Sequence, residues 1–144
     1  MKFSTKAFAI GLTLIAGVAF AETAATDADV IARQALMKSF GGAAKTLGGM
    51  ASGDVAFDAA AAGAAKAVLV AGAADTPAKF QKNAVDPGSK AKPEVWTTWD
   101  DFLVKAKGLG DAAAALDATT IEGVQAGMGG IGGACKACHT AYRM

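Results

Sequence analysis

Near the C-terminus two thiols and an imidazole stand at a fixed spacing, in the run Cys135-Lys136-Ala137-Cys138-His139. On a helix, positions i, i+3 and i+4 share one side, so all three groups can reach one flat ligand. Cys-x-x-Cys-His is the attachment signature of a c-type haem. The two thiols add to the two vinyl groups of the macrocycle as thioethers, and the adjoining imidazole reaches the iron. His139 is the only histidine, so it is the one imidazole the chain can offer. Two other chemistries use such a cysteine pair. A thioredoxin-like redox disulfide belongs in a βαβ setting, and no strand-rich domain is legible here. A zinc site needs further Cys or His ligands, and the sequence holds none. Covalent haem is the reading the motif favours.

The start of the chain supports it. Lys2 and Lys6 precede an apolar run from Ala7 to Val18, and Ala19-Phe20-Ala21 forms an A-x-A cleavage site, the pattern of a secretory signal. Residues 1–21 are therefore expected to be removed, leaving 22–144 as a single domain that begins at Glu22. The apolar run is shorter than the ~20 residues a membrane span requires, so no stable membrane insertion is expected after cleavage. Bacterial c-type haem is attached on the outer side of the plasma membrane, which places the mature chain in the periplasm. Loss of Lys2 and Lys6 turns 14 basic against 13 acidic residues into 12 against 13, a net charge of −1. No basic patch points to nucleic acid. Both cysteines lie in the haem motif, so no disulfide framework is indicated.

Holding the three side chains requires helices, and the mature chain is rich in alanine with apolar residues at helical spacing. Thr26 or Asp27 caps a first helix expected to run to about Leu47, with the stripe Val30, Arg33, Met37, Phe40, Ala44, Leu47 and Ala51. Gly48-Gly49 and Ser52-Gly53-Asp54 break it. A second is expected from about Phe57 to Ala74, burying Phe57, Ala61, Ala64, Val68 and Ala71, with Asp75-Thr76-Pro77 interrupting it. Phe80 then adds a core contact from a short turn, and residues 83–93 read as a surface loop. The third opens at Pro93-Glu94 and carries Trp96, Trp99, Phe102, Leu103, Ala106, Leu109, Ala113 and Leu116. The fourth follows a cap within Asp117 to Thr120, and its stripe Ile121, Val124, Met128, Ile131, Cys135, Cys138 and Tyr142 turns the haem cysteines inward. The expected fold is all-α, an antiparallel four-helix bundle with covalently attached haem. Gly127, Gly129, Gly130, Gly132 and Gly133 are anomalous in a helix, since each costs about 0.5–1 kcal/mol against alanine. They mark either close packing or a frayed, kinked stretch.

Over the whole mature chain the sequence resembles a class II cytochrome c, the cytochrome c′ family. The likeness rests on the C-terminal haem motif with Tyr142-Arg143 behind it, Lys92-Pro93-Glu94-Val95-Trp96, and Arg33-Gln34-Ala35-Leu36-Met37. The resemblance implies a left-handed four-helix bundle, often a homodimer, with one haem c between the helices. Cys135 and Cys138 would form its thioethers and His139 the proximal ligand. Arg33 matches a first-helix arginine expected near a haem propionate. The stripe points the same way, because a cation on a core face needs a charged partner; the alternative is a snorkelling side chain with a wet head. Arg143 matches a basic residue on the proximal side, or is a terminal surface charge.

Met37 matches the position facing the distal side of the haem in that family. In its high-spin members this side holds an apolar or non-binding residue, and nitric oxide or carbon monoxide reaches the iron. In its low-spin members a first-helix methionine binds iron, which suits electron transfer. Met128 lies about 10 Å before Cys135 along its helix, and Met50 about 20 Å beyond Met37. Ordinary core filling is the alternative for Met37. The favoured function is a periplasmic electron carrier with His139/Met37 ligation, serving redox partner proteins. The runner-up is a high-spin cytochrome with an open distal site for NO or CO. Enzymatic catalysis is not expected, since no second histidine exists for acid–base work.

Overall fold

The computed structural model describes residues 24–144; the expected leader, residues 1–21, lies outside the described residues. The helices are α1 (Ala28–Ser52), α2 (Ala59–Phe80), the one-turn α3 (Glu94–Thr97), α4 (Trp99–Ala115) and α5 (Ile121–Tyr142). α1 packs on α2 and α5, and α4 packs on the same two. Each long helix is thus antiparallel to both neighbours, the four-helix bundle its stripes require. Among the described residues the one β pairing is an isolated bridge between Ala91 and Arg143. None of the described helices is long and apolar enough to cross a membrane.

The helix starts follow their side chains. Asp27 accepts from the backbone N–H of Asp29 and Val30, Asp58 from Ala60 and Ala61, and Thr120 from Gly123, so each supplies an acceptor to the unpaired first turn. The helix ends depart from the local signals. α1 continues through Gly48-Gly49 to Ser52 and stops at Gly53, whose φ of 80° is left-handed and favours glycine. α2 runs through Pro77. Its last turn is held from outside: Arg33 Nε donates to Lys79 O at 3.0 Å, Trp96 Nε1 to Phe80 O at 2.7 Å, and Arg33 Nη2 to Lys82 O. Phe80 is therefore the buried end of α2, not a contact from a later turn.

The buried face of α2 is also rotated from expectation. Ala62, Ala65, Leu69, Gly72, Ala73, Thr76 and Phe80 are buried, while Val68 is 40% exposed. A helix this rich in alanine has little contrast between faces, so close packing chooses. At Gly72 a Cβ would overlap the Phe40 ring, with Cζ only 2.9 Å away. The glycine is what lets α1 seat Phe40 against α2.

The expected third helix is broken at Thr98, with φ −126° and ψ 50°. The Tyr142 hydroxyl sits at this break, 2.9 Å from the Thr98 hydroxyl, and donates to Asp101 at 2.6 Å. α5 is continuous across its glycines. A Cβ at Gly127 would lie 2.8 Å from the Leu116 side chain, whereas Gly129, Gly132 and Gly133 face open space. Close packing accounts for the first of these and not for the other three.

Candidate functional site

A cavity of about 690 Å³ opens between α1, α4, α5 and the 81–93 segment, within the range of small-molecule and cofactor pockets. All five side chains singled out by sequence line it: Arg33 and Met37 from α1, Cys135, Cys138 and His139 from α5. Phe40, Phe80, Val95, Phe102, Leu109 and Tyr142 supply apolar wall. The other methionines of the described residues lie elsewhere. Met50 is buried in the bundle core, Met128 packs beside that core, and Met144 is 69% exposed.

Cys135 and Cys138 are half-buried thiols, not joined to one another. Burial pushes both up from the ordinary cysteine value, which keeps them protonated at neutral pH. Desolvation, aided by the Arg143 cation, pushes the His139 imidazole down. That shift favours the neutral ring, the form that binds metals. Among the described residues no group of three or more His, Cys, Asp or Glu side chains could hold a metal ion.

Arg33 is only 3% exposed, so its head is not wet and the snorkelling alternative fails. Its guanidinium carbon lies 5.2 Å from the Phe80 ring centre and 5.1 Å from that of Trp96, within cation–π range. Burial pushes its pKa down, opposed by Asp29 and Asp27. Two nitrogens cap the C-terminal end of α2, where a cation also meets the negative end of the helix dipole. Nη1 is buried and has no partner. A buried donor left unpaired is costly, and a carboxylate from a group in the cavity would satisfy it. With two thiols three residues apart, a neutral imidazole, a thioether and apolar walls, the donor set fits a covalently held haem.

Sequence reading missed how the 81–93 segment closes this site. Asp86, expected in a surface loop, is buried. One carboxylate oxygen accepts from Thr26 N at 2.8 Å, Asp27 N at 2.8 Å and Thr26 Oγ1 at 3.1 Å; the other accepts from Gly88 N at 2.6 Å. These donors hold its pKa down at about 2. Gln34 Nε2 adds a bond to Gly88 O at 2.9 Å. At its far end the segment pairs with the chain terminus, through Lys92 N to Tyr142 O and Met144 N to Lys90 O, both at 2.9 Å. Ser89, Lys90 and Ala91 thus become cavity wall. Asp-Pro-Gly-Ser signals the local turn, but nothing local signals a bond across 60 residues. Trp96 packs against the Phe80, Val95, Phe102 and Tyr142 cluster, as its place on the core stripe requires; its indole N–H also caps α2 and its ring covers Arg33.

Fold and site together define a four-helix-bundle cytochrome with its haem motif at the C-terminal end. The chain belongs to the cytochrome c′ family, whose model matches residues 28–143. It is 36% identical over 119 residues to cytochrome c-556 of Agrobacterium fabrum, covering 81% of each chain. The solved cytochrome c′ of Rhodopseudomonas palustris superposes with a TM-score of 0.72 at 28% identity, covering 83% of this chain and 98% of that one. A nitric oxide complex of an Alcaligenes xylosoxidans cytochrome c prime variant gives 0.71 at 29% identity, covering 80% and 93%. Members of this kind carry electrons on haem or bind NO and CO.

Proposed function

We propose that residues 22–144, freed of their leader in the periplasm, form a non-enzymatic monohaem cytochrome that passes single electrons to and from redox partner proteins. Cys135 and Cys138 would hold the haem by thioethers, and His139 and Met37 would supply the ligands to its iron. Arg33 Nη1 takes a propionate. When bound, the haem supplies an iron that cycles between ferric and ferrous states at a potential set by its axial ligands. The observation that carries this reading is that Met37 and His139, on adjacent helices α1 and α5, line one cavity that no other methionine of the described residues reaches. A sulfur that completes the coordination leaves no position for an external ligand.

A second reading, the open distal site for NO or CO, is favoured by one fact. Met37 packs against both hydrophobic clusters of the molecule, as a core-filling side chain would. Absorption spectra of the ferric and ferrous protein, with and without carbon monoxide, separate the two. Low-spin spectra in both states with slow, weak carbon monoxide binding support the carrier. High-spin spectra with ready binding replace it with the gas-binding reading.

A further inference from the structure

Two adjacent glycines in the middle of α1, Gly41 and Gly42, stand in different surroundings. Glycine weakens a helix interior more than any residue except proline, and close packing does not account for either of them. A Cβ built at Gly41 or at Gly42 would meet no heavy atom within 4 Å. Nor does a turn call for them, since α1 is unbroken from Ala28 to Ser52 and its left-handed glycine is Gly53. What separates the two is the cavity: Gly41 lines it and Gly42 does not. The helix repeat gives the reason. At about 100° per residue, Val30, Arg33, Gly41 and Ala44 all fall within about 40° of Met37 around the axis, whereas Gly42 falls about 140° away. Val30, Arg33, Met37, Gly41 and Ala44 all line the cavity. Gly41 is thus the one member of this row without a side chain.

We propose that Gly41 is a positioning residue: its bare backbone lets the haem plane seat against α1 closely enough for the Met37 sulfur to reach the iron. This rests on the electron-carrier reading above. A thioether stands only a few bonds from its own Cα, so an iron that takes it draws the ring close to the helix. The macrocycle is broader than one helical turn of ~5.4 Å. A ring centred on Met37 therefore extends over the position one turn further along the same row, and a side chain there would prop it away. The ring could not slide aside, because Cys135 and Cys138 would fasten it to α5 on the facing wall. The helix gives up stability at Gly41 and gains clearance on the side where the second iron ligand must approach.

The test compares the unmutated holoprotein with Gly41→Ala, Gly41→Leu and Gly42→Ala. Ferric and ferrous spectra, the midpoint potential, the carbon monoxide association rate and Tm are read on each. The unmutated protein should be low-spin. Gly41→Ala should raise the high-spin fraction and speed carbon monoxide association about three- to tenfold, because the gas enters only while the sulfur is off and the rate follows that population. Gly41→Leu should leave the iron high-spin and lower the potential, since a thioether ligand raises it. Gly42→Ala should raise Tm by about 3–5 °C, the ordinary gain from removing a helix glycine, and change none of the other readings. Spectra and potential that stay the same in both Gly41 variants overturn the proposal and leave Met37 as a ligand. An equal spectral change in Gly42→Ala overturns it as well, because helix stiffness and not clearance is then the cause. The spin state of the unmutated protein is read first and tells the two failures apart. If that iron is already high-spin, the electron-carrier reading falls and the proposal falls with it.

Discussion

Arg33 on α1 donates from Nε to the carbonyl of Lys79 at 3.0 Å, one residue before the end of α2. One side chain thus ties the cavity-lining stripe of α1 to the end of a neighbouring helix and still carries an unpartnered Nη1. The structural role of this guanidinium and its proposed role toward a propionate can be separated by substitution.

Arg33→Leu should destabilise the fold by about 2–3 kcal/mol, because it removes charge-assisted bonds to two backbone carbonyls at the end of α2. It should also change how the midpoint potential varies with pH, since a nearby cation favours the ionised propionate. Arg33→Lys keeps the charge and loses the planar fork. It should lose stability while retaining most of the potential's pH dependence. Denaturant titration and potentiometry read the two effects, and an unchanged pH dependence in Arg33→Leu would remove the propionate.

Met37→Ala should convert low-spin iron to high-spin and lower the potential, because a thioether ligand raises it. Carbon monoxide binding to the ferrous protein should become fast. If the variant's spectra match those of the unmutated protein, Met37 fills space and does not bind.

Denatured mature protein should keep its colour and weigh one haem more than its polypeptide. Cys135→Ala or Cys138→Ala leaves one thioether and weaker attachment, and the double substitution leaves none. Mass spectrometry and extraction with acidified organic solvent check both; haem extracted from the unmutated chain would end the covalent assignment.

Asp86 sets an acid limit. Its folded pKa of about 2 lies below the ordinary value of 3.8, so the group adds stability above pH ~4 that fades as pH falls towards the folded value. Asp86→Asn should lower Tm at neutral pH and lose less further stability between pH ~4 and ~2 than the unmutated chain does. Equal acid profiles for the two proteins would show that the carboxylate does not clasp the 81–93 segment to α1.

Gly72→Ala should cost about 1–3 kcal/mol, the usual effect of overpacking a core, because its Cβ would enter the Phe40 ring. Phe40 also lines the cavity, so the haem spectrum should shift as the ring moves. Phe40→Leu combined with Gly72→Ala should recover part of the loss, measured by thermal unfolding.

Sequence alone determined what depends on residues close together along the chain. The Cys135, Cys138 and His139 spacing lies within about one helical turn, and N-caps such as Asp27 and Thr120 act on the next three residues, so their chemistry is local. The 3-4 stripes of α1, α4 and α5 name their inward faces because apolar and polar positions differ sharply there. α2 shows no such contrast, and only Phe40 seated at Gly72 decides which alanines are buried. Pro77 reads locally as a helix end, yet Arg33 and Trp96 reach its terminal carbonyls from other helices and keep α2 intact. Asp86 reads as a turn residue until the fold brings Thr26 and Asp27 to its carboxylate. In each case the deciding hydrogen bond or contact joins residues remote in sequence, and such partners exist only once the bundle has closed.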